Sequence, residues 1–275
     1  MIKIGEYNTL KVARRVDFGV YLTDGDGNDV LLPQKYATGL TEGDDTTVFI
    51  YNDSVDRPIA TTDRPVATVG TFALMKVKAV NAVGAFLEWG ISGKDLLVPF
   101  REQKVKMQPG RSYVVYVYLD DNSGRIVASA KLDRFVNNTL PHYTHRQQVD
   151  LLVVQRTELG YKVIINGLHW GLVYQNRTYR ELNVGDHCIG YIQLVRDDGK
   201  IDVTTEKVQR SRVHDIAEQI MAYLYEHDGE MELNDKSSPS DIMSAFSCSK
   251  KDFKKAIGKL YKERKIKIDE KISLP

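Results

Sequence analysis

Short runs in which apolar and polar residues alternate fill most of the chain before residue 207. Three successive segments each contain such a run around a central glycine, which is Gly19, Gly84 or Gly160. An alternation with a period of two is typical of a β-strand that has one buried face. The pattern therefore predicts that this part of the chain is β-structure built from three similar units.

Three further features follow each glycine in the same order. A short apolar strand comes first, a turn leading into a longer strand comes second, and a polar turn with a last strand closes the unit. Five short strands without helical periodicity are typical of a small closed or nearly closed barrel. A glycine is expected in the second strand because such a barrel bends its strands sharply. The predicted barrels comprise residues 1–63, 66–134 and 146–207.

Helical periodicity replaces the alternation after residue 207. Apolar residues between positions 216 and 224 recur every three or four residues, as on one face of an amphipathic helix. Ser238 before Pro239, and Ser249 three residues before Asp252, are N-terminal capping patterns for two more helices. The apolar residues expected on the inner faces of these two helices are Ile242, Met243, Phe246, Phe253, Ala256, Ile257, Leu260 and Tyr261.

A two-stranded hairpin is predicted at the end of the chain, where isoleucines surround a short charged segment. Three helices followed by a hairpin are typical of a winged helix-turn-helix, here residues 208–275. The predicted fold class is mainly β with a C-terminal α+β domain: three small five-stranded barrels followed by this winged helix-turn-helix.

The net charge of the 275-residue chain does not favour any class of binding partner, because 38 Lys and Arg residues balance 37 Asp and Glu residues. No apolar run approaches the roughly 18 residues of a membrane span. The N-terminus has no secretion signal, so a cytoplasmic protein with no membrane partner is expected. The two cysteines, Cys188 and Cys248, do not have the spacing of a thiolate zinc site or of a disulfide framework.

Sequence motifs of enzymes are also missing. The sequence has no Walker A glycine loop, no nucleophile elbow and no run of aspartates for a two-metal nuclease. His142 and His145 supply at most two metal ligands. We therefore expect a protein that is not an enzyme, with no cofactor and no small-molecule substrate.

Positive charge is concentrated in the predicted third helix of the C-terminal domain. Residues 247–267 contain nine Lys and Arg residues, against the two acids Asp252 and Glu263. At 100° per residue, six lysines fall on one half of the helix, opposite its apolar face. They are Lys250, Lys251, Lys254, Lys255, Lys259 and Lys262. Such a face is often solvated surface, but the third helix of a winged helix-turn-helix is also where nucleic acid is usually met.

Aromatic residues recur near the glycines of the second strands. They are Phe18, Tyr21, Phe86 and Tyr161, with Tyr174 on the next strand of the third unit. Rings that face outward from strands 2 and 3 of a small barrel can stack on bases, each stack contributing about 1–3 kcal/mol. The alternative, that the rings fill the barrel interior, stays open at this point.

These residues carry a resemblance to a known family. Residues 17–22, 122–129 and 171–174 resemble the second strand, the last turn and the third strand of S1-type RNA-binding domains. Tandem S1-like units, followed by a winged helix with the lysine-rich segment 249–262, are similar to the conserved virulence factor B family of bacterial RNA-binding regulators. The resemblance covers essentially the whole chain and implies S1/OB-like barrels.

The resemblance also implies an S1 ligand face with two aromatics on strand 2, a histidine on strand 3, and an acid four residues before a base near the last strand. The positions that match this face are Phe18, Tyr21, Asp53 and Arg57 in the first unit, Phe86, Asp121 and Arg125 in the second, and Tyr174 and Lys200 in the third. The positions that depart from it are Pro33, Val83, Pro99, Lys162 and Arg196.

The sequence thus leads to the hypothesis of a non-enzymatic, cytoplasmic RNA-binding protein that regulates gene expression after transcription, with the ribosome or the transcription machinery as further partners. Its ligand is expected to be single-stranded or structured RNA. Two alternatives remain. The barrels could be a scaffold for a ribosomal or polymerase protein, or the winged helix could bind duplex DNA as a regulator.

Overall fold

The computed structural model describes residues 1–175, 181–206, 212–269 and 271–275 of the chain. It divides into two compact units, residues 1–206 and residues 207–275. The first unit contains β-strands and short 3-10 turns in its described residues, and the second contains three helices and a small sheet. The predicted domain bounds at residues 63, 66, 134 and 146 stay predictions, and the bound between residues 207 and 208 lies outside the described residues.

Barrel 1 is a closed five-stranded barrel with the strand order β1-β2-β3-β5-β4. Neighbouring strands are antiparallel except β3 and β5, which are parallel. Alternate side chains such as Leu22, Leu32 and Ile50 point inward and are completely buried. The strands are β1 (Tyr7–Val16), β2 (Gly19–Thr23), β3 (Asp29–Pro33), β4 (Asp45–Asn52) and β5 (Pro58–Thr61).

Barrel 2 repeats this arrangement with the hydrogen-bonded order β10-β9-β6-β7-β8. The two ends of the sheet, β8 and β10, lie side by side and complete the ring. Its interior contains the fully buried Trp89, whose indole N–H donates to the carbonyl oxygen of Ala67 at 2.9 Å. The strands are β6 (Phe72–Val80), β7 (Gly84–Ile91), β8 (Lys94–Pro99), β9 (Ser112–Leu119) and β10 (Ile126–Ser129).

Barrel 3 is closed, with the order β11-β12-β13-β15-β14, and its β13 and β15 are parallel. The strands are β11 (Gln148–Thr157), β12 (Gly160–Ile165), β13 (His169–Tyr174), β14 (His187–Val195) and β15 (Ile201–Thr204). The three units therefore share one topology, and the prediction of three five-stranded barrels is confirmed.

The recurring glycines begin the second strand of each barrel, and the structure gives a reason for them other than the predicted bend. A Cβ atom would lie 2.1 Å from the carbonyl oxygen of Leu32 at Gly19, and 2.1 Å from that of Val173 at Gly160. These two glycines also have φ values of +155° and +148°, which L side chains rarely adopt. A side chain here would push the second strand away from the third.

Apolar contacts join the three barrels within the first unit. Phe49 of barrel 1 is buried in the same core as Trp89 of barrel 2, with their ring centroids 5.6 Å apart. A second core between barrels 2 and 3 contains Phe72, Leu152 and Ile164. Burial of this apolar surface stabilises the barrels against separation.

The second unit has the predicted three helices, α1 (Arg212–Glu226), α2 (Pro239–Phe246) and α3 (Lys250–Lys262). Ser238 and Ser249 cap α2 and α3, each accepting a hydrogen bond from a backbone N–H three residues later at 3.2 Å. Two expectations were wrong: Met243 and Tyr261 are more than half exposed, because each lies at the edge of its helix's apolar stripe.

A three-stranded sheet, with the order β16-β18-β17, completes the second unit. Its strands are β16 (Glu230–Met231), β17 (Lys267–Ile268) and β18 (Ile272–Ser273), so β16 extends the predicted hairpin by one strand. This confirms the winged helix. Within the described parts of the chain, no helix has the length and apolar character needed to cross a membrane.

Candidate nucleic-acid interface

The outer face of barrel 3 carries an open cleft of about 800 Å³. Along β13 the side chains alternate, so that His169, Gly171 and Val173 are buried while Trp170, Leu172 and Tyr174 face outward. The outward three line the cleft, together with Leu159, Lys162, Arg196 and Lys200 from neighbouring elements. The cleft therefore combines outward-facing, half-buried rings with cationic side chains, the two components of a single-strand nucleic-acid site.

The cations of this cleft are held against its rings and acids. Lys162 on β12 places its amine 3.7 Å from the centre of the Trp170 ring, a cation–π contact. Arg196 donates a 2.6 Å hydrogen bond to the Tyr174 hydroxyl and three further bonds to the Asp202 carboxylate. The bonds to Asp202 raise the pKa of Arg196, which stays charged. Lys162 also lies 3.6 Å from the carboxylate of Asp133, so both cations at the cleft are paired with an acid.

Lys200 lies at the rim of the same cleft. Its amine contacts the carboxylate of Asp198 at 2.7 Å, and this hydrogen bond lowers the pKa of Asp198. Both side chains are at least half exposed, so the pair is weak and the lysine can exchange its partner. The structure thus brings two predicted residues, Tyr174 and Lys200, into one site.

The prediction that the Tyr161 ring faces outward was wrong. Tyr161 is only 4% exposed and packs in the core of barrel 3. Successive side chains of a strand point to opposite faces, so the outward position belongs to Lys162. In register, Lys162 pairs with Leu172, as Phe86 pairs with Leu97 in barrel 2 and Tyr21 with Leu31 in barrel 1.

Trp170, the largest ring of the cleft, is missing from the residues predicted from the sequence. The alternation of residues in β13 could have predicted it, because this pattern places Trp170, Leu172 and Tyr174 on one face of the strand. Leu159 is a second omission, and its side chain is 63% exposed at the cleft.

The matching face of barrel 1 is partly covered by its own side chains. Phe18, in the turn before β2, is 58% exposed. The guanidinium of Arg14 lies 4.1 Å from the centre of the Tyr21 ring, so one side of this ring is occupied. Asp53 and Arg57 pair with each other at 2.9 Å within the β4–β5 turn. The hydrogen bond from the Arg57 backbone N–H is the main cause that lowers the pKa of Asp53.

The matching face of barrel 2 is turned toward barrel 1. Phe86 and Arg125 line a cleft of about 370 Å³ whose opposite wall is the β4–β5 turn of barrel 1, including Asp53 and Asp56. Arg125 donates two hydrogen bonds to the Asp56 carboxylate, at 2.7 and 2.6 Å. The structure therefore brings together predicted residues of two different barrels.

The acid that precedes Arg125 in the last turn of barrel 2 is Asp120, and the prediction of Asp121 was wrong. The Asp120 backbone N–H donates to the Arg125 carbonyl oxygen at 2.9 Å, as that of Asp53 does to Arg57 in barrel 1. The turn of barrel 2 is one residue longer, so counting four residues back from Arg125 reaches a different position. Asp121 is exposed and forms no hydrogen bond or ion pair with any described residue.

In the second unit, the lysines of α3 form a cationic surface. Lys251, Lys255 and Lys262 are exposed and form no ion pair or hydrogen bond within the described ranges. Three others have neighbours: Lys250 donates to the Lys236 carbonyl oxygen at 3.3 Å, Lys254 lies 3.7 Å from Asp235, and Lys259 lies 3.8 Å from Glu263. A shallow groove of about 510 Å³ runs between Lys255, Gly258, Lys259 and Lys262.

Comparison with known proteins shows which domain families these parts of the chain match. A family model described as the S1 domain matches residues 4–63 and 69–131, and one described as the CvfB-like winged helix domain matches residues 218–274. The order of these domains is similar to that of the conserved virulence factor B family. The matched families are nucleic-acid-binding domains and are not known as enzymes.

Relatives of this family match nearly the whole chain. The uncharacterized protein YitL of Bacillus subtilis (strain 168) is 27% identical, with 95% of this chain and 90% of that protein covered. The conserved virulence factor B of Staphylococcus aureus (strain MSSA476) is also 27% identical, with 90% and 86% covered. A solved structure of a multidomain protein with nucleic acid binding domains from Streptococcus pneumoniae TIGR4 is 24% identical, covers 99% of this chain and 98% of that one, and has a TM-score of 0.41.

Proposed function

We propose that this protein binds single-stranded or structured RNA through the cleft of barrel 3 and the lysine surface of α3. In the cell it would act as a cytoplasmic, non-enzymatic regulator of gene expression after transcription. The observation that carries the proposal is the open barrel 3 cleft, where the outward rings of Trp170 and Tyr174 lie beside Lys162 and Arg196.

Rings and cations contribute differently to such binding. Base stacking on an exposed ring contributes about 1–3 kcal/mol for each base and tolerates any sequence. Cations neutralise phosphates, and this part weakens as salt concentration rises. Lys251, Lys255 and Lys262 are suited to this second role, because no acid among the described residues neutralises them. The two surfaces would therefore give sequence-tolerant binding with a strong salt dependence.

A regulatory role is supported by the family relationship. The Staphylococcus aureus relative is named as a virulence factor, and both domain types of this chain belong to nucleic-acid-binding families. We also propose the ribosome or the transcription machinery as further partners of this protein.

The first test measures binding of the full chain to a labelled single-stranded RNA by fluorescence anisotropy. Trp170→Ala should weaken binding by about 5-fold to about 150-fold, because a stacked ring is worth about 1–3 kcal/mol. Ile189→Ala is the matched control: this side chain is half exposed on the same barrel but outside the cleft, and its loss should leave affinity unchanged.

The same assay separates the contribution of α3. Changing Lys251, Lys255 and Lys262 together to Gln should make the slope of log affinity against log salt shallower by about 2, since each phosphate contact on a single strand contributes about 0.7. Lys3, Lys11 and Lys76, which are exposed but paired with acids, provide the control triple substitution. No RNA binding by the wild-type chain would reject the proposal, and tighter binding to duplex DNA than to RNA would favour a DNA-binding regulator instead.

A further inference from the structure

The turn between β4 and β5 of barrel 1 makes specific polar contacts with barrel 2. We call residues 52–57 the acidic turn. Its Asp56 accepts both hydrogen bonds of the Arg125 guanidinium. Two of its backbone carbonyl oxygens, those of Asn52 and Asp53, lie 2.8 and 3.3 Å from the amine of Lys94. Two cations of barrel 2 are thus bound to oxygen atoms of barrel 1.

The surface that the acidic turn covers is equivalent to the open cleft of barrel 3. Phe86 of barrel 2 occupies the register position of Lys162, because each pairs with the residue two before the end of the third strand. Arg125 occupies the position of Lys200, since the carbonyl oxygen of each closes the last turn of its barrel. The space left on barrel 2 is about 370 Å³, compared with about 800 Å³ on barrel 3.

The acidic turn offers barrel 2 the same chemistry as a phosphate backbone. A carboxylate that accepts two parallel bonds from one guanidinium has the geometry with which arginine also binds phosphate. Asp56 reaches this position with a φ of 63°, a left-handed conformation that aspartate tolerates better than most residues. Burial at this contact lowers the pKa of Lys94, whose charge is compensated by the oxygens of the turn.

We propose that the acidic turn is an intramolecular competitor of RNA: it occupies the ligand face of barrel 2 and keeps this face out of the RNA-binding surface. This inference rests on the proposed function, in which RNA binds to barrel 3 and α3. Because Arg125 and Asp56 are 58% and 46% exposed, their ion pair is of the weak kind. Loss of Asp56 as a partner frees the Arg125 guanidinium on this face, while Lys94 and the shared core keep the two barrels together.

The test compares RNA affinities of the full chain carrying Asp56→Asn or Asp45→Asn. Both substitutions remove one negative charge from barrel 1, but Asp45 begins β4 and Asn52 ends it, about 23 Å further along the strand at 3.3 Å per residue. Asp56→Asn should bind single-stranded RNA at least threefold more tightly than the wild type, while Asp45→Asn should match the wild type.

Phe86→Ala shows whether the released face is the one that binds. In the wild-type chain this substitution should leave RNA affinity unchanged, because the acidic turn covers the ring's surroundings. Combined with Asp56→Asn, it should abolish the gain. Equal affinities of the Asp56 and Asp45 variants, or weaker binding on Phe86→Ala in the wild-type chain, would overturn the inference.

These results also separate the inference from the proposed function. If Trp170→Ala weakens RNA binding but Asp56→Asn leaves it unchanged, the inference about the acidic turn is wrong and the proposed function stands. RNA binding by Asp56→Asn, with none by the wild type, supports the inference and removes the proposed role of barrel 3. No binding by either chain removes both.

Discussion

Tyr161 and Lys162 are neighbours in the chain, yet one is buried in the core of barrel 3 and the other lines its cleft. An aromatic residue beside a glycine is therefore not enough to predict a stacking ring. The decisive quantity is the position of the ring relative to the glycine: an outward ring lies two positions after it, with one residue between, as for Tyr21 and Phe86.

Gly258 is a second position where one residue matters. It lies inside α3 beside the lysine groove, and apart from its chain neighbours and the backbone of α3 itself no atom of the described residues lies within 4 Å of the place where its Cβ would be. A glycine in a helix costs about 0.5–1 kcal/mol relative to alanine, and packing does not require it here. A glycine at this position leaves room for an RNA backbone to approach the helix closely.

Gly258→Ala should therefore raise the free energy of unfolding by about 0.5–1 kcal/mol and weaken RNA binding. Urea unfolding and fluorescence anisotropy measure the two effects. Ser244→Ala, at an exposed position of α2, should stabilise slightly without any change in affinity. An unchanged RNA affinity in Gly258→Ala would contradict close approach of RNA at this point.

At the scale of elements, the acidic turn shows how a loop acquires a role that its own sequence does not reveal. Its Asp53 stabilises the turn itself, through hydrogen bonds from two backbone N–H groups and Arg57. Its Asp56 instead contacts a residue 69 positions away in the chain. The same turn thus contains one acid that stabilises the turn itself and another that binds a different barrel.

The contact made by Asp56 should depend on pH. The hydrogen bond from Arg125 holds the pKa of Asp56 below its ordinary value of 3.8. Its stabilising effect is therefore complete above that ordinary value and is lost as the pH falls through the lower value of the folded state. Urea unfolding between about pH 5 and about pH 2, followed by the fluorescence of Trp89 in chains that also carry Trp170→Phe, should show a smaller loss of stability with Asp56→Asn than without it. Equal losses would mean that the ion pair does not hold the two barrels together.

At the scale of the whole first unit, apolar cores extend across the barrels. Phe49 lies in strand β4 of barrel 1, but its side chain packs in the core of barrel 2. Phe72 of barrel 2 lies in one core with Leu152 and Ile164 of barrel 3. If one barrel unfolds alone, the side chains that it shares with its neighbour become exposed to water. We therefore expect that unfolding of barrel 1 lowers the stability of barrel 2.

Phe49→Ala tests this coupling. Loss of a buried phenylalanine costs about 3–5 kcal/mol. Trp89 and Trp170 are the two tryptophans of the chain, so a Trp170→Phe background leaves Trp89 as the single reporter in barrel 2. In that background, Phe49→Ala should lower the urea midpoint reported by Trp89, and Phe49→Leu should lower it less. A midpoint that stays constant would show that barrel 1 unfolds alone.

Sequence periodicity alone determined the order and type of the elements. Alternation, the recurring glycines and the two serine caps predicted three barrels and a winged helix, and all are present. The lysines of α3 were also predictable, because the rotation of a helix per residue is constant. Such features depend on neighbours in the chain.

The tertiary structure alone decided which of the three equivalent faces is open. Barrel 2 has the Phe86 and Arg125 that the sequence indicates, but the acidic turn of barrel 1 binds Arg125 and lines the cleft beside Phe86. Barrel 3 departs most from the S1 pattern and has the larger cleft. Residue spacing could not reveal this, because contacts such as Asp56 with Arg125 depend on how two folded surfaces fit together. Complementarity between surfaces has no periodic signal in the chain.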